Sequence, residues 1–425
     1  MKEVERRGRK VIKKNVMLAI SLICIIFYVT GCASENEDDI ISVVIWHSSN
    51  SEQEEALNAI VEAFNQSQEN IIVSAINQPS ANFVENIYNS VANNVGPDII
   101  FNFATMAADF IPDGKIVNLC RHIDVDWLRD AVNESAFKES TGFVEGQLFV
   151  LPLHTSGPVL FINRSIYDEL GLDAPTTWDE LAENSRVVYE QTGIPGFLAD
   201  SLVDLVQCLL LQGGSGYIDV ENNTVLFNNE IAVSRLQWLR ENVENQYFTI
   251  EVAGTRAYQD FNAGLVATIM SSVGHIATMD ENPFDVEVVP IPQGGAVEWS
   301  PMWNRSFIVF SSHEENEEAA IEFLEFFIRP ENLSAWAIAS GNLSPYFSTL
   351  EIEAYEEFVE GNLALSALKE SFEFAGYLPP VIGSATVRTE LDRAVLLILS
   401  GQSTIEDALR DAEITSNAAL QENAH

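Results

Sequence analysis

"IISVVIWHSSNSEQEEALNAIVEAFNQSQENIIVSAIN", residues 40–77, places two short β-branched runs on either side of a helical one. In the middle section Ala56, Leu57, Ile60, Val61 and Phe64 recur at spacings of three and four, which puts them on one helical face. Ser51 followed by Glu54 gives the capping-box pattern expected at a helix start. The alternation continues with a helical "FVENIYNSVANN" (83–94) and an extended "PDIIFNF" (97–103). Strands alternating with helices build crossover units and a parallel sheet, so the fold class is α/β. Ligands of such sheets sit beyond the carboxyl ends of the strands. That rule singles out residues 47–50, 77–82 and 102–105.

Working outward, "LFVLPLHTSGPVLFINRSIYDELGLDAPTTWDELAENSRVVYEQTG" (148–193) has two extended runs flanking "HTSGP", then helices, one with a Thr177–Glu180 capping box. Helical periodicity returns in 233–245, in 320–328 ahead of Pro330, and in 386–401 and 404–420. "FDVEVVPIP" (284–292) and "SFIVFSS" (306–312) read as strands. The chain is too long for one ordinary core, so two lobes are expected. No Pro-rich linker separates them, which predicts that the chain crosses between lobes through strands.

The first residues, "MKEVERRGRKVIKKN", are basic, and Val16 to Val29 is almost wholly apolar. A spanning helix needs about 20 apolar residues, whereas an export signal needs roughly 7–15 after a positive start. Residues 1–31 therefore read as a signal peptide. "VTGC" (29–32) resembles the lipobox of bacterial lipoproteins, which implies cleavage before Cys32 and lipid on that cysteine. Residues 32–41 become a tether to the membrane, and the rest of the chain lies outside the cytoplasm, lipid-anchored to the cell membrane. An uncleaved anchor is the alternative, with the same consequence for location. The leader holds seven of 22 Lys+Arg and two of 63 Asp+Glu, leaving 15 against 61, a balance of −46 beside −41 for the whole chain. Such a surface repels polyanions and excludes nucleic acid as a partner. Cys120 and Cys208 are expected to be two separate, buried thiols.

Several stretches carry a family likeness in their order and spacing: "VVIWHSSNSEQEEALNAIVEAFN", "GPDIIF", "LPLHTSGPVLFINRSIYDELGLDAPTTWDELAE", "FNAGLVATIMSSVGHIATM", "FDVEVVPIPQGG", "AAIEFLEFFIRPENLSAWAIASGNLSP" and "LSGQSTIEDALRDA". Together they resemble the maltose-binding-like extracellular solute-binding proteins of ABC importers, with most likeness to binders of glycerol-3-phosphate and glycerophosphodiesters. The resemblance implies a type II, two-lobe periplasmic-binding-protein fold. Residues 42–153 and 290–342 would form one lobe, and 154–289 and 343–425 the other. Three hinge crossings would lie near 153–157, 289–292 and 341–345. It further implies a monomer without cofactor or metal that hands a sugar, oligosaccharide or glycerol phosphodiester to ABC permease subunits.

Carried onto this chain, the family's site positions are Ser48, Ser49, Ser156, Ser271, Ser272, the segment Trp303, Asn304, Arg305, and Arg388 as the phosphate-holding arginine. Trp46 and Trp303 lie beside strand ends, where an indole can cover a sugar face or simply fill core. His47, Asn102 and His154 also fall on cleft-forming segments. Three histidines, His47, His154 and His275, invite a metal reading, yet no close pair exists and hydrogen-bonding roles are preferred. Against a strict glycerol-phosphate assignment, Ala104 replaces a carboxylate, Asn342 a tyrosine, and the 201–204 segment a tryptophan pair. A sensor with the same fold is the alternative function. A secreted glycoside-acting enzyme ranks behind it, because no G-x-S-x-G, H-E-x-x-H or C-x-x-C is present and acids are too abundant for any pair to be diagnostic.

Overall fold

The computed structural model describes residues 40–250, 257–279 and 282–422. Cys32, the leader and most of the tether lie outside these residues. Fourteen strands are found among them, ten of which form two five-stranded sheets.

The first sheet has the order β2-β1-β3-β13-β4, with β1 Ile41–His47, β2 Ile71–Asn77, β3 Ile99–Phe103, β4 Val150–Ser156 and β13 Trp303–Val309. The pairings of β1 with β2 and β3 are parallel, as the 40–77 pattern predicts, and β13 is antiparallel to both β3 and β4. The helix Ser51–Ser67 buries Leu57, Ile60, Val61 and Phe64, the expected stripe. Its cap is shifted by one residue from expectation, because Asn50 accepts from Gln53 N and Gln53 closes the box. Asn50 wins because its side-chain oxygen reaches the third helical amide while its own backbone stays extended. Thr177 caps the helix Trp178–Thr192 as expected.

The second sheet has the order β11-β5-β10-β6-β9, built from β5 Pro158–Asn163, β6 Phe197–Ala199, β9 Phe248–Ile250, β10 Thr268–Ser272 and β11 Val286–Pro290. Every residue of β5 is buried. Leu160 and Ile162 join one core with Phe197, Leu209 and Leu391, whereas Val159 and Phe161 join another with Phe261 and Leu365. A strand covered on both faces needs such an unbroken apolar run. The remaining strands form short ladders, β7 Ile218–Asp219 with β8 Thr224–Val225 and β12 Ser300–Pro301 with β14 Ala375–Gly376.

The two sheets are joined by passages that lie together. From β4 the chain enters β5 through Gly157 alone, where an added Cβ would stand 2.6 Å from Leu368 Cδ1 and 3.1 Å from the Pro301 carbonyl. The segment after β11 leads to β12 and β13. The third follows the helix Pro330–Ser340, where Leu343 exchanges two backbone hydrogen bonds with Thr155 (2.7 and 3.0 Å). Both cysteines are free. Cys208 is buried, but Cys120 is half-exposed in the short turn Leu119–Arg121, contrary to expectation, with Sγ 3.4 Å from the Gly146 carbonyl.

Candidate ligand cleft

The passages between the sheets open into a cleft of two chambers that share Phe103 and Trp303 as walls. The first chamber, about 310 Å³, is built on three neighbouring strands. Arg305 on β13 stands opposite Phe103 on one side and His154 on the other. A bulge between Arg305 and Ser306 breaks the ladder here, a device that re-aims side chains beside functional sites. The Arg305 guanidinium lies over the Phe103 ring, 4.5 Å from its centre. Among the described residues no carboxylate pairs with it, and burial pulls its pKa down. His154 Nδ1 accepts the Trp336 indole N–H at 3.0 Å, so its proton resides on Nε2. Burial, with Arg305 nearby, pushes the His154 pKa down to about 3, and the ring is neutral.

Serines complete this chamber. Ser48 and Ser49 enter from the end of β1, Ser156 from β4 and Ser272 from β10. The Ser156 and Ser272 hydroxyls are 3.5 Å apart across the gap between sheets. Ser49 Oγ is shielded and has no partner. A buried hydroxyl left unmatched costs about 1–3 kcal/mol.

The second chamber, about 340 Å³, is lined by Glu139, Asp204, Arg388, Trp299 and Trp303 among others. Arg388 Nη1 lies 2.5 Å from Asp204 Oδ1 and 3.1 Å from Gln207 Oε1, and Nη2 lies 3.4 Å from Ser201 Oγ. Its charge is therefore matched within the protein. Asn304 Nδ2 donates to Glu139 at 2.6 Å, and Thr155 Oγ1 donates to Asn304 Oδ1 at 2.7 Å. Burial raises the Glu139 pKa to about 8 against the pull of that hydrogen bond, so the carboxyl is largely protonated at neutral pH. A protonated carboxyl both donates and accepts, and indoles offer flat apolar faces, a combination suited to hydroxyl-rich molecules.

The sequence-predicted residues divide into three groups. Ser48, Ser49, His154, Ser156, Ser272, Trp303 and Arg305 meet in the first chamber, whereas Arg388 lies in the second. The others are displaced. Trp46 packs against the outer core around Ile100 and Phe110 and lines neither chamber, because β1 alternation turns it away. His47, wholly buried, lies behind the serines with Nδ1 3.4 Å from Ser49 N, and burial lowers its pKa. Asn102 turns inward, accepting Phe103 N at 2.8 Å. Asn304 is buried behind the wall. Ser271 is fully buried and is held by Asp200 and His275. His47, His154 and His275 thus have separate surroundings. Sequence reasoning missed Glu139, one acid among many, and Trp299, for which the W-x-x-x-W spacing with Trp303 was the available signal.

A crevice between two jointed sheets, lined by serines, indoles and charged groups, defines a receptor for a small polar molecule. The chain belongs to the bacterial extracellular solute-binding proteins, whose family profile matches residues 48–333. Proteins of this family serve ABC importers outside the cytoplasm. The chain is 23% identical over 314 residues to the sn-glycerol-3-phosphate-binding periplasmic protein UgpB of Pectobacterium atrosepticum, covering 65% of this chain and 67% of that protein. It is 21% identical to the UgpB of Yersinia pseudotuberculosis, over 91% and 93% of the two chains. Among solved structures, the cyclic alpha-maltosyl-1,6-maltose binding protein from Arthrobacter globiformis superposes with a TM-score of 0.80 at 24% identity, covering 90% of this chain and all of that one. A cyclo/maltodextrin-binding protein complexed with maltotetraose gives 0.77 at 16% identity, over 92% and 100%. These likenesses establish the type II, two-lobe fold.

Proposed function

We propose that this chain is a lipid-anchored receptor that captures a solute of the carbohydrate or glycerol-phosphate kind and passes it, unaltered, to ABC permease subunits. The observation that carries this reading is the two-chamber cleft between the sheets, whose walls combine unpartnered hydroxyl, charged and indole groups. The relatives are binding proteins, which supports a receptor without catalysis. The bodies 42–153 with 290–342, and 154–289 with 343–425, close on the solute by bending at the three passages. Cys32 carries the lipid, and the chain acts as a monomer.

A thermal-shift screen of residues 33–425 against glycerol-3-phosphate, glycerophosphocholine and malto-, xylo- and manno-oligosaccharides tests the assignment, since binding to the native state raises the melting temperature. Stabilisation by at least one of these is expected, with the compound recovered intact. Turnover of any of them by pure protein overturns the reading. Release of Cys32→Ala from the membrane fraction checks the anchor, and retention of that variant argues against it.

A further inference from the structure

We propose that the solute carries an anionic group, a carboxylate or a phosphate, seated in the first chamber on Arg305, with its hydroxyl-bearing remainder extending into the second chamber. This rests on the receptor reading above and names the ligand class of that same cleft. The inference begins with the chain's charge: 63 Asp+Glu face 22 Lys+Arg, so an arginine has abundant acids for a partner. Arg388 has found one in Asp204. Among the described residues Arg305 has not, and none of those lining its chamber is an Asp or Glu. Arg305 is half-buried at the chamber wall, and a partly desolvated guanidinium without a countercharge is left incompletely satisfied. The natural relief is a ligand that brings the countercharge.

The geometry suits this. Phe103 covers one face of the guanidinium, and the N–H donors of a planar fork lie in its plane rather than toward the ring. The edge of the fork remains for a carboxylate or phosphate, which it matches with two parallel hydrogen bonds. The ladder bulge beside Arg305 puts His154 next to it, neutral and with its proton on Nε2, so that ring adds a hydrogen bond without competing for charge. Ser156 and Ser272, whose hydroxyls are 3.5 Å apart, line the same chamber. Among the described residues the second chamber has no free cation: Arg388 is paired, and Glu139 and the two indoles suit hydroxyls and sugar faces instead. The anion site is accordingly at Arg305 and not at Arg388, where the family resemblance places a phosphate.

Isothermal titration of residues 33–425, with Arg305→Ala, Arg305→Lys and Arg388→Ala, tests this against matched probes. These are maltotriose, trigalacturonate, glycerol-3-phosphate, glycerophosphocholine and glycerol. At least one acid-bearing probe is expected to bind about tenfold or more tightly than its neutral counterpart, with an affinity that weakens as salt rises. Arg305→Ala removes that preference, Arg305→Lys retains part of it, and Arg388→Ala weakens neutral and acidic probes together. Galacturonate and phosphate probes distinguish the two sources of the anion. Equal binding of neutral and acidic probes, or a preference abolished only by Arg388→Ala, overturns the Arg305 assignment while the receptor reading stands. Binding of no probe, with no small molecule released from natively purified protein on denaturation, overturns both. Melting curves of the two Arg305 variants show whether each is folded.

Discussion

Asn304 joins Glu139 of the second chamber to Thr155 of the first passage and lines neither chamber itself. Its amide donates to Glu139 and its carbonyl accepts Thr155 Oγ1. Because Glu139 holds its proton up to about pH 8 when folded but to an ordinary carboxyl value when unfolded, the native state binds the extra proton between those limits. Its contribution is complete below the unfolded value and is lost as pH rises through about 8. Glu139→Gln keeps an acceptor for Asn304 and cannot ionise. We expect its melting temperature to fall less than that of the parent between about pH 5 and pH 8.5, as read by scanning calorimetry. Parallel curves would refute the burial assigned to Glu139. His154 acts with opposite sign: folded at a pKa of about 3, it withholds a proton that the unfolded chain takes up, so stability declines as pH drops from its ordinary value toward 3. Little of this residue-level wiring was legible in the sequence. Serines 48, 49, 156 and 272 fall beside the first chamber, where strand ends and family positions point. Ser271 shares their motif, yet strand alternation sends it to Asp200. One residue of register decides between cleft and core, and pattern alone does not fix that choice.

At the scale of elements the sequence was far more readable, since an apolar stripe specifies a helix and the face it buries together. The helix Ser51–Ser67 and the strands around it emerged nearly as expected, and the cap moved by one position because Asn50 and Ser51 are both good caps. The short ladder of β12 with β14 was hidden, being two residues long and without periodicity. It nonetheless shapes the second chamber. A Cβ added to Gly376 would fall 1.7 Å from Trp299 Nε1, so the indole lies directly on that backbone. Trp299 is fixed further by Gln212 Nε2, which donates to the Trp299 carbonyl at 2.8 Å while Gln212 Oε1 receives the Trp178 indole. Gly376→Ala must push the ring into the chamber or out of it. We expect a loss of solute affinity of about tenfold or more, with overpacking costing about 1–3 kcal/mol of stability. Native affinity measured by titration would mean that the Trp299 face takes no part in binding.

Over the whole molecule, two features govern behaviour: a net charge of −41 and a bundle of passages between sheets. Self-repulsion of so acidic a surface opposes compaction, and salt screens it with a Debye length of about 10 Å at 0.1 M. The melting temperature should therefore rise between roughly 20 mM and 0.5 M NaCl, and a flat profile would show that the charges are too dispersed to matter. The closure proposed above bends at the second feature. Thr155 fastens the first passage to the third through its backbone exchange with Leu343, and to β13 through its hydroxyl on Asn304. Bending is then confined to a narrow seam instead of being spread along each strand, which favours a single hinge axis. Thr155→Val preserves shape but removes the donor, leaving the buried Asn304 carbonyl unmatched at a cost of about 1–3 kcal/mol. With one fastening gone, the solute must spend part of its binding free energy aligning the lobes, so affinity should fall along with stability. Small-angle scattering with and without solute separates the two effects. A parent that contracts on binding, beside a valine variant that contracts less at saturation, is the expected pair of results. Equal contraction with unchanged melting would show that the Thr155–Asn304 link has no part in the hinge.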